Sequence, residues 1–351
     1  MHPASRLSLL LLATLSCAAL PAQAAPKTPA YQPVALAPFS PGQGSGVAMA
    51  INNEGMVCGL SAGPTGAFCW RNGILTELQP LPGDDNVSVE GINERGQAVG
   101  GSQSTLTFRR SAVVFVDGAA HEVTIPQATD ASASDIDNAG DIVGTYRSRN
   151  GDNIAYLVRH GEVQDLGTLG QMVRNSSAAG INNRRQIVGT SYIDAPTPIG
   201  NTQTRAFLYQ QGVMTALPTP AGYSSVAARI NGRGQVIGRL EPNDASWETW
   251  RAALWDKDGV KVLLDQASDA RGINNRGQVV GAVLTGSGGF FYEPGKGVRS
   301  LNDLIDTSSG WNIVYAQDIN ERGQIVGFGC KGALCGPVLM NPMGVKTGAA
   351  D

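Results

Sequence analysis

Residues equipped for acid–base or metal chemistry are few in this chain, and they are scattered. Beyond the N-terminal leader only His121 and His160 remain, at unrelated places in their segments. Their spacing makes neither a zinc site nor a nucleophile–base pair. The run Asp135-Ile136-Asp137-Asn138-Ala139-Gly140-Asp141 opens like a calcium-binding loop, but Ala139 holds its fifth position and Tyr146 stands where the closing Glu belongs. It aligns with six other turns and reads as a variant of them. No catalytic residue, metal or cofactor is assigned. Carboxylate pairs for glycan cleavage stay open, since their separation is a tertiary quantity.

Binding chemistry is better represented. Tyr192, Trp247, Glu248 and Trp250, with Asp194, Asn243 and Asp244 beside them, fall in two unusually long connections, Thr190 to Arg205 and Arg239 to Arg251. Tyr223 and Trp311 lie in segments between repeats. Aromatic side chains on long loops over a regular scaffold can stack on sugar rings or clamp a peptide, and such loops are where binding is normally carried. The alternative for Trp250 is packing on the edge of its own sheet.

The elements that must position these residues repeat. The stretch Ile273-Asn274-Asn275-Arg276-Gly277-Gln278-Val279-Val280-Gly281 recurs seven times, starting at Ile51, Ile92, Ile136, Ile181, Ile230, Ile273 and Ile319. A period of 41 to 49 residues marks a solenoid, propeller or array. Within one copy, Asn or Asp bonds the backbone two residues on, and Gly supplies the positive φ of a type I turn with a Gly bulge. Copy four has Arg185 at the Gly position, which costs about 1 kcal/mol.

Each unit supplies four strands: a small-apolar strand ending in Ile-Asn, the returning Gln-Ile-Val-Gly strand, an Ala-aromatic-aliphatic-aromatic strand such as Ala206-Phe207-Leu208-Tyr209, and a strand after a short turn such as Asn72-Gly73. Trp70 and Trp255 occupy the third-strand aromatic position and read as core. Four short antiparallel strands per unit predict an all-β, seven-bladed β-propeller. The half-unit around Val34-Ala35-Leu36 precedes the first Ile-Asn by the spacing seen after a fourth strand. It is therefore expected to pair beside Ile319 to Met340, over Pro33 to Ala37, and close the ring. Both short turns of each unit then lie on one face, and the variable connections on the other.

Forty-five glycines and 16% charged residues agree with a turn-rich β chain. Net charge is −3 without a basic block, which argues against nucleic acid. Arg6, the apolar run Leu7 to Leu20 and Ala22-Gln23-Ala24 form a secretory signal peptide over 1–24. A lipoprotein reading of Cys17 is disfavoured by Thr14. Residues 25–30 make a flexible lead-in, 31–343 one propeller domain and 344–351 a tail.

Four cysteines lie beyond the leader, and export favours disulfides. Hairpin geometry argues for Cys58 with Cys69, across a tip near Gly63-Pro64, and for Cys330 with Cys335; a staple between the first and last units is the rival. The Asp165-Leu166-Gly167-Thr168-Leu169-Gly170 run, the Ile-Asn-x-x-Gly-Gln-Ile-Val-Gly copies and the Ala-Phe-Leu-Tyr strand together resemble the bacterial extracellular HAF-repeat family. That resemblance implies an exported repeat protein and transfers no activity. The expectation is a secreted or periplasmic monomeric scaffold, without transmembrane segment, binding an extracellular polysaccharide or surface protein through variable loops. A structural envelope protein and a carboxylate-dependent glycan hydrolase or lyase are the alternatives.

Overall fold

The computed structural model describes residues 29–36, 46–61, 66–196, 202–243, 246–286 and 288–344. The leader, the Gly63-Pro64 tip, Asp244 and residues 345–351 lie outside them. The described strands form seven four-stranded antiparallel sheets, one per repeat, and the chain is a seven-bladed β-propeller. Blade 1 runs Val47–Ile51, Val57–Leu60, Ala67–Arg71 and Ile74–Glu77. Blades 2 to 6 follow in the same order, their first strands ending at Ile92, Ile136, Ile181, Ile230 and Ile273.

Blade 7 contributes Trp311–Ile319, Ile325–Lys331 and Leu334–Pro342, and its outer strand is the N-terminal Tyr31–Ala35. Pairing runs from Tyr31 opposite Pro342 to Ala35 opposite Val338. The ring thus closes through the expected segment, starting two residues earlier than predicted; Ala37 lies outside the described residues. Tyr31 packs edge-on against Phe291 at 6.1 Å, and Leu36 is buried between blades 7 and 1.

The hydrophobic core lies between blades. Seven clusters fill the seven seams, each drawing side chains from two neighbouring sheets. Burying apolar faces against the next blade, rather than within one, is what makes a single repeat unstable alone. The last Gly of each motif has a local reason. A Cβ on Gly189 or Gly281 would collide with the carbonyl oxygen of Ser177 or Asp269, at the bulge of the first strand.

The Ile-Asn turns form as expected, with Gly277 at φ 74° and Arg185 in the same left-handed region at φ 59°. Asn274 Oδ1 accepts from the N–H groups of Arg276 and Gln278. The amide does more than shape its own turn. Nδ2 of Asn274 donates to the carbonyl of Asn320 in the next blade at 3.1 Å, and the same link joins Asn52 to Asn93, Asn93 to Asp137, Asn182 to Asn231, Asn231 to Asn274 and Asn320 to Asn52. A girdle of buried amides therefore runs round the channel, interrupted where Asp137, with no N–H to give, faces blade 4.

The Ile-Asn turns and the third-to-fourth-strand turns share one face, here the turn face; the second-to-third connections and the inter-blade segments form the variable face. Both disulfides are local: Cys58 bonds Cys69, and Cys330 bonds Cys335, each pair directly opposite in its ladder. No described helix is long and apolar enough to cross a membrane.

Candidate binding site

The two long connections are mostly strand. Ile187–Pro196 and Thr202–Gln210 extend the central hairpin of blade 4, with Thr190 opposite Ala206 and Tyr192 opposite Thr204. In blade 5 the strand continues through Val236–Pro242, and a single 3-10 turn, Trp247–Thr249, leads back to Arg251–Asp256. Sequence alone reads these extensions as loops because burial there is confined to isolated residues such as Ser191 and Leu240, and no apolar alternation marks the strand.

The aromatic candidates do not converge. Tyr192 is 38% exposed on the blade 4 hairpin, and Tyr223 packs against the cluster between blades 4 and 5. Trp311 opens the first strand of blade 7 and packs on the cluster between blades 6 and 7. Trp247 and Glu248 stand exposed on the 3-10 turn, with Trp250 just after it. Asp194 tethers the preceding inter-blade segment, accepting from the N–H groups of Gln171, Met172 and Val173; those bonds hold its carboxyl below its ordinary value. Asn243 is buried and accepts from Ser224 Oγ. Trp255 is core, as expected, its Nε1 donating to Pro218 O at 2.7 Å. Trp70 is half-buried: it packs on the cluster between blades 7 and 1 and also borders a groove of about 510 Å³ that includes Ile74, Leu78 and Phe115.

What gathers at the channel mouth on the variable face is an array across blades 5 to 7. Arg239 lies over the Trp250 ring at 4.1 Å, donates from Nε to Glu241 at 2.6 Å and approaches Asp269 at 3.6 Å. Asp269 also meets Arg271 at 3.5 Å. Arg271 lies over the Tyr315 ring at 5.1 Å and donates to Gln317 Oε1 at 3.1 Å, and Tyr315 stacks on Phe328. These charged side chains keep roughly a fifth to a quarter of their surface exposed. Of the predicted residues, only Trp250 belongs to this array, with Trp247 and Glu248 on the adjoining turn.

Deeper, near the turn face, the channel narrows. The residues preceding each motif Ile are Ala50, Gly91, Asp135, Gly180, Arg229, Gly272 and Asp318. Small residues precede the large ones around the ring, since a Cβ on Gly272 would come within 2.6 Å of Asp318 Cα and one on Gly91 within 2.9 Å of Asp135 Oδ1. Arg229 spans the channel from blade 5, donating to Glu90 O in blade 2 and to Ala179 O, both at 3.1 Å. Asp135 accepts from the N–H groups of Ile136 and Ile181, and Asp318 from those of Ile319 and Ile51.

Burial pushes the Asp318 carboxyl up to about 6 against the pull of Arg229 and the two N–H groups; burial likewise raises Asp135 and Glu90, again opposed by Arg229. Both Asp residues have each oxygen engaged by backbone and join neighbouring blades. They are staples, not a poised acid–base pair. His121, on the outer strand of blade 2, and His160, in a third-to-fourth-strand turn of blade 3, stand exposed and apart. No group of three His, Cys, Asp or Glu able to hold a metal occurs among the described residues. The mouth and neck arrays were legible only by stacking the seven copies in columns, where charges interrupt positions otherwise small or polar.

No protein-family model and no curated protein sequence matches the chain. Several solved structures share its fold. YCF48 bound to a D1 peptide is 11% identical with TM-score 0.53, covering 92% of this chain and 98% of that one. Virginiamycin B lyase from Staphylococcus aureus is 12% identical with TM-score 0.54, covering 89% and 98%. The propeller domain of the Trilobed protease from Pyrococcus furiosus, with its open velcro topology, is 11% identical with TM-score 0.57, covering 85% and 94%. At these identities the likeness establishes the fold alone.

Proposed function

We propose that the chain is an exported, non-catalytic binding scaffold of HAF-repeat type, whose variable face takes a polypeptide segment over blades 5 to 7. The observation that carries this reading is the mouth array of Trp250, Arg239, Asp269, Arg271 and Tyr315. It offers both signs of charge, each partly exposed, beside an exposed Trp247. Guanidinium groups already lie over the Trp250 and Tyr315 rings, so those faces are not open to a sugar. A peptide brings amides, both charges and apolar anchors, which suit such a surface. Export is supported by the leader sequence and by two disulfides, which persist in oxidising compartments. A propeller of the same fold is bound to a peptide in one similar structure.

The test is to offer the mature protein to a peptide array and a glycan array side by side. Binding of mixed-charge peptides, weakened at least tenfold in the Arg239→Ala/Arg271→Ala variant with its melting transition still cooperative, is the expected result. Glycans bound without any peptide would move the ligand class to carbohydrate.

A further inference from the structure

The turn face carries a feature that a scan for basic runs misses. The third residue of each Asn-x-x-Gly turn reads Glu54, Arg95, Ala139, Arg184, Arg233, Arg276 and Arg322. Successive members are 41 to 49 positions apart in sequence. The fold sets them side by side, because each turn is tied to the next by the amide girdle. Blades 4 to 7 thus present four consecutive guanidinium groups, Arg184, Arg233, Arg276 and Arg322, on one arc of the channel rim. All four are exposed, and none makes an ion pair with a described residue.

The carboxylates nearby are committed elsewhere. Glu321, on the arc, accepts the N–H of Asn275, and Glu293 on the outer turn of blade 6 faces Lys296 and Arg299. Asp258 on the outer turn of blade 5 pairs with Lys257. Off the arc, Glu94 is held by Asn53, Glu54 meets Arg71, and buried Asp141 meets Arg185. Four like charges held in a row repel one another in the free protein, and a ligand with repeating negative charge relieves this.

We propose that this arc binds an acidic polysaccharide, a chain whose carboxylates recur along its length. A guanidinium takes a carboxylate through two parallel N–H bonds. The first Asn of each inner turn of the arc is buried and spent in the girdle, so the arginines carry the recognition. No exposed aromatic or large apolar side chain lies on the described inner turns of the arc, so the stacking platform of a single-stranded nucleic acid and the anchor pockets of a peptide are both missing. This site is separate from the variable-face array and does not depend on it.

Binding of polygalacturonate to the mature chain, measured by biolayer interferometry across a salt series, tests the assignment. The variant Arg233→Gln/Arg276→Gln/Arg322→Gln is compared with Arg109→Gln/Arg149→Gln/Arg174→Gln, which removes the same charge from exposed variable-face positions. The arc variant should bind at least tenfold more weakly, with a salt dependence flatter by about two to three in slope, while the control variant binds as the parent does. Both variants must show the parental melting transition; if the arc variant does not, Arg276→Lys/Arg322→Lys, which keeps the charge but not the paired N–H geometry, should weaken binding severalfold. Equal loss in both triple variants, no binding by the parent, or tighter binding of single-stranded DNA than of polygalacturonate at equal ionic strength would each overturn the proposal.

Discussion

The seams between blades 7 and 1 and between blades 3 and 4 are built on one plan and differ at three of the positions that link them. In both, a buried aspartate (Asp318 or Asp135) reaches from one blade to the Ile N–H of the next. At the first seam Asn320 completes the girdle, donating to Asn52 O at 3.0 Å and to Gln324 Oε1 at 2.8 Å. At the second, Asp137 and Asp141 replace that Asn and Gln. Asp141 is buried and faces the guanidinium groups of Arg185 at 3.3 Å and Arg159 at 3.8 Å. Arg185 is also the one motif residue that takes the left-handed conformation without being glycine. The three departures from the repeat are therefore one substitution of an ion pair for an amide link. A ring tolerates such an exchange when the compensating charge comes from the neighbouring blade.

The largest effect should come from opening the seam that joins the chain ends. Deleting residues through Leu36 removes the outer strand of blade 7 together with buried Tyr31 and Leu36. It should cost about 5 kcal/mol or more from lost burial and an exposed sheet edge. Thermal melts and light scattering check this; an unchanged transition would show that closure contributes nothing.

Asn274→Asp transplants the carboxylate of the exceptional seam into an ordinary one without its arginines. It sets negative charge against Gln278 Oε1 and Asn320 O and should destabilise by about 3 kcal/mol in urea titrations. A loss below about 0.5 kcal/mol would mean the girdle is not a stabilising link.

The aspartate staples give a pH test. Asp318 is raised to about 6 in the folded chain, above its unfolded value. Its stabilising contribution is present below the unfolded value and is lost as pH rises through about 6. From pH 4 to 7 the parent should therefore lose about 2 to 3 kcal/mol relative to Asp318→Asn. Parallel stability curves for the two proteins would contradict this.

The smallest effect sharpens the comparison most. Arg185→Gly relieves the left-handed conformation, worth about 1 kcal/mol, but strips a partner from Asp141. It should lie within about 1 kcal/mol of the parent, yet stabilise by about 1 kcal/mol in an Asp141→Gln background. A double-mutant cycle gives the coupling directly, and strict additivity would separate the three departures.

Much of the fold was legible because each turn is a local problem. The Asn and Gly of one motif determine its hairpin without reference to any other blade, and Cys58 and Cys69 oppose each other through a single hairpin register. The candidate site was less legible. Trp250 was named from the sequence, but its partners Arg239, Asp269 and Arg271 were not, since charged residues in short strands give no sign of which way they face. Tyr223 and Trp311 were singled out as loop aromatics and proved to open strands packed on core clusters.

The sequence by itself determined the number of blades, the strand order and the closing segment, set by period and turn chemistry; it favoured local disulfides, and the structure decided for them over a staple between the first and last blades. Only the tertiary structure decided which residues, one per repeat, meet across the ring. The amide girdle, the Arg229 neck and the row of turn-face arginines arise from radial placement of positions some 45 residues apart. That placement follows from apolar packing between blades, a non-directional force that leaves no mark on the spacing of the charges it brings together.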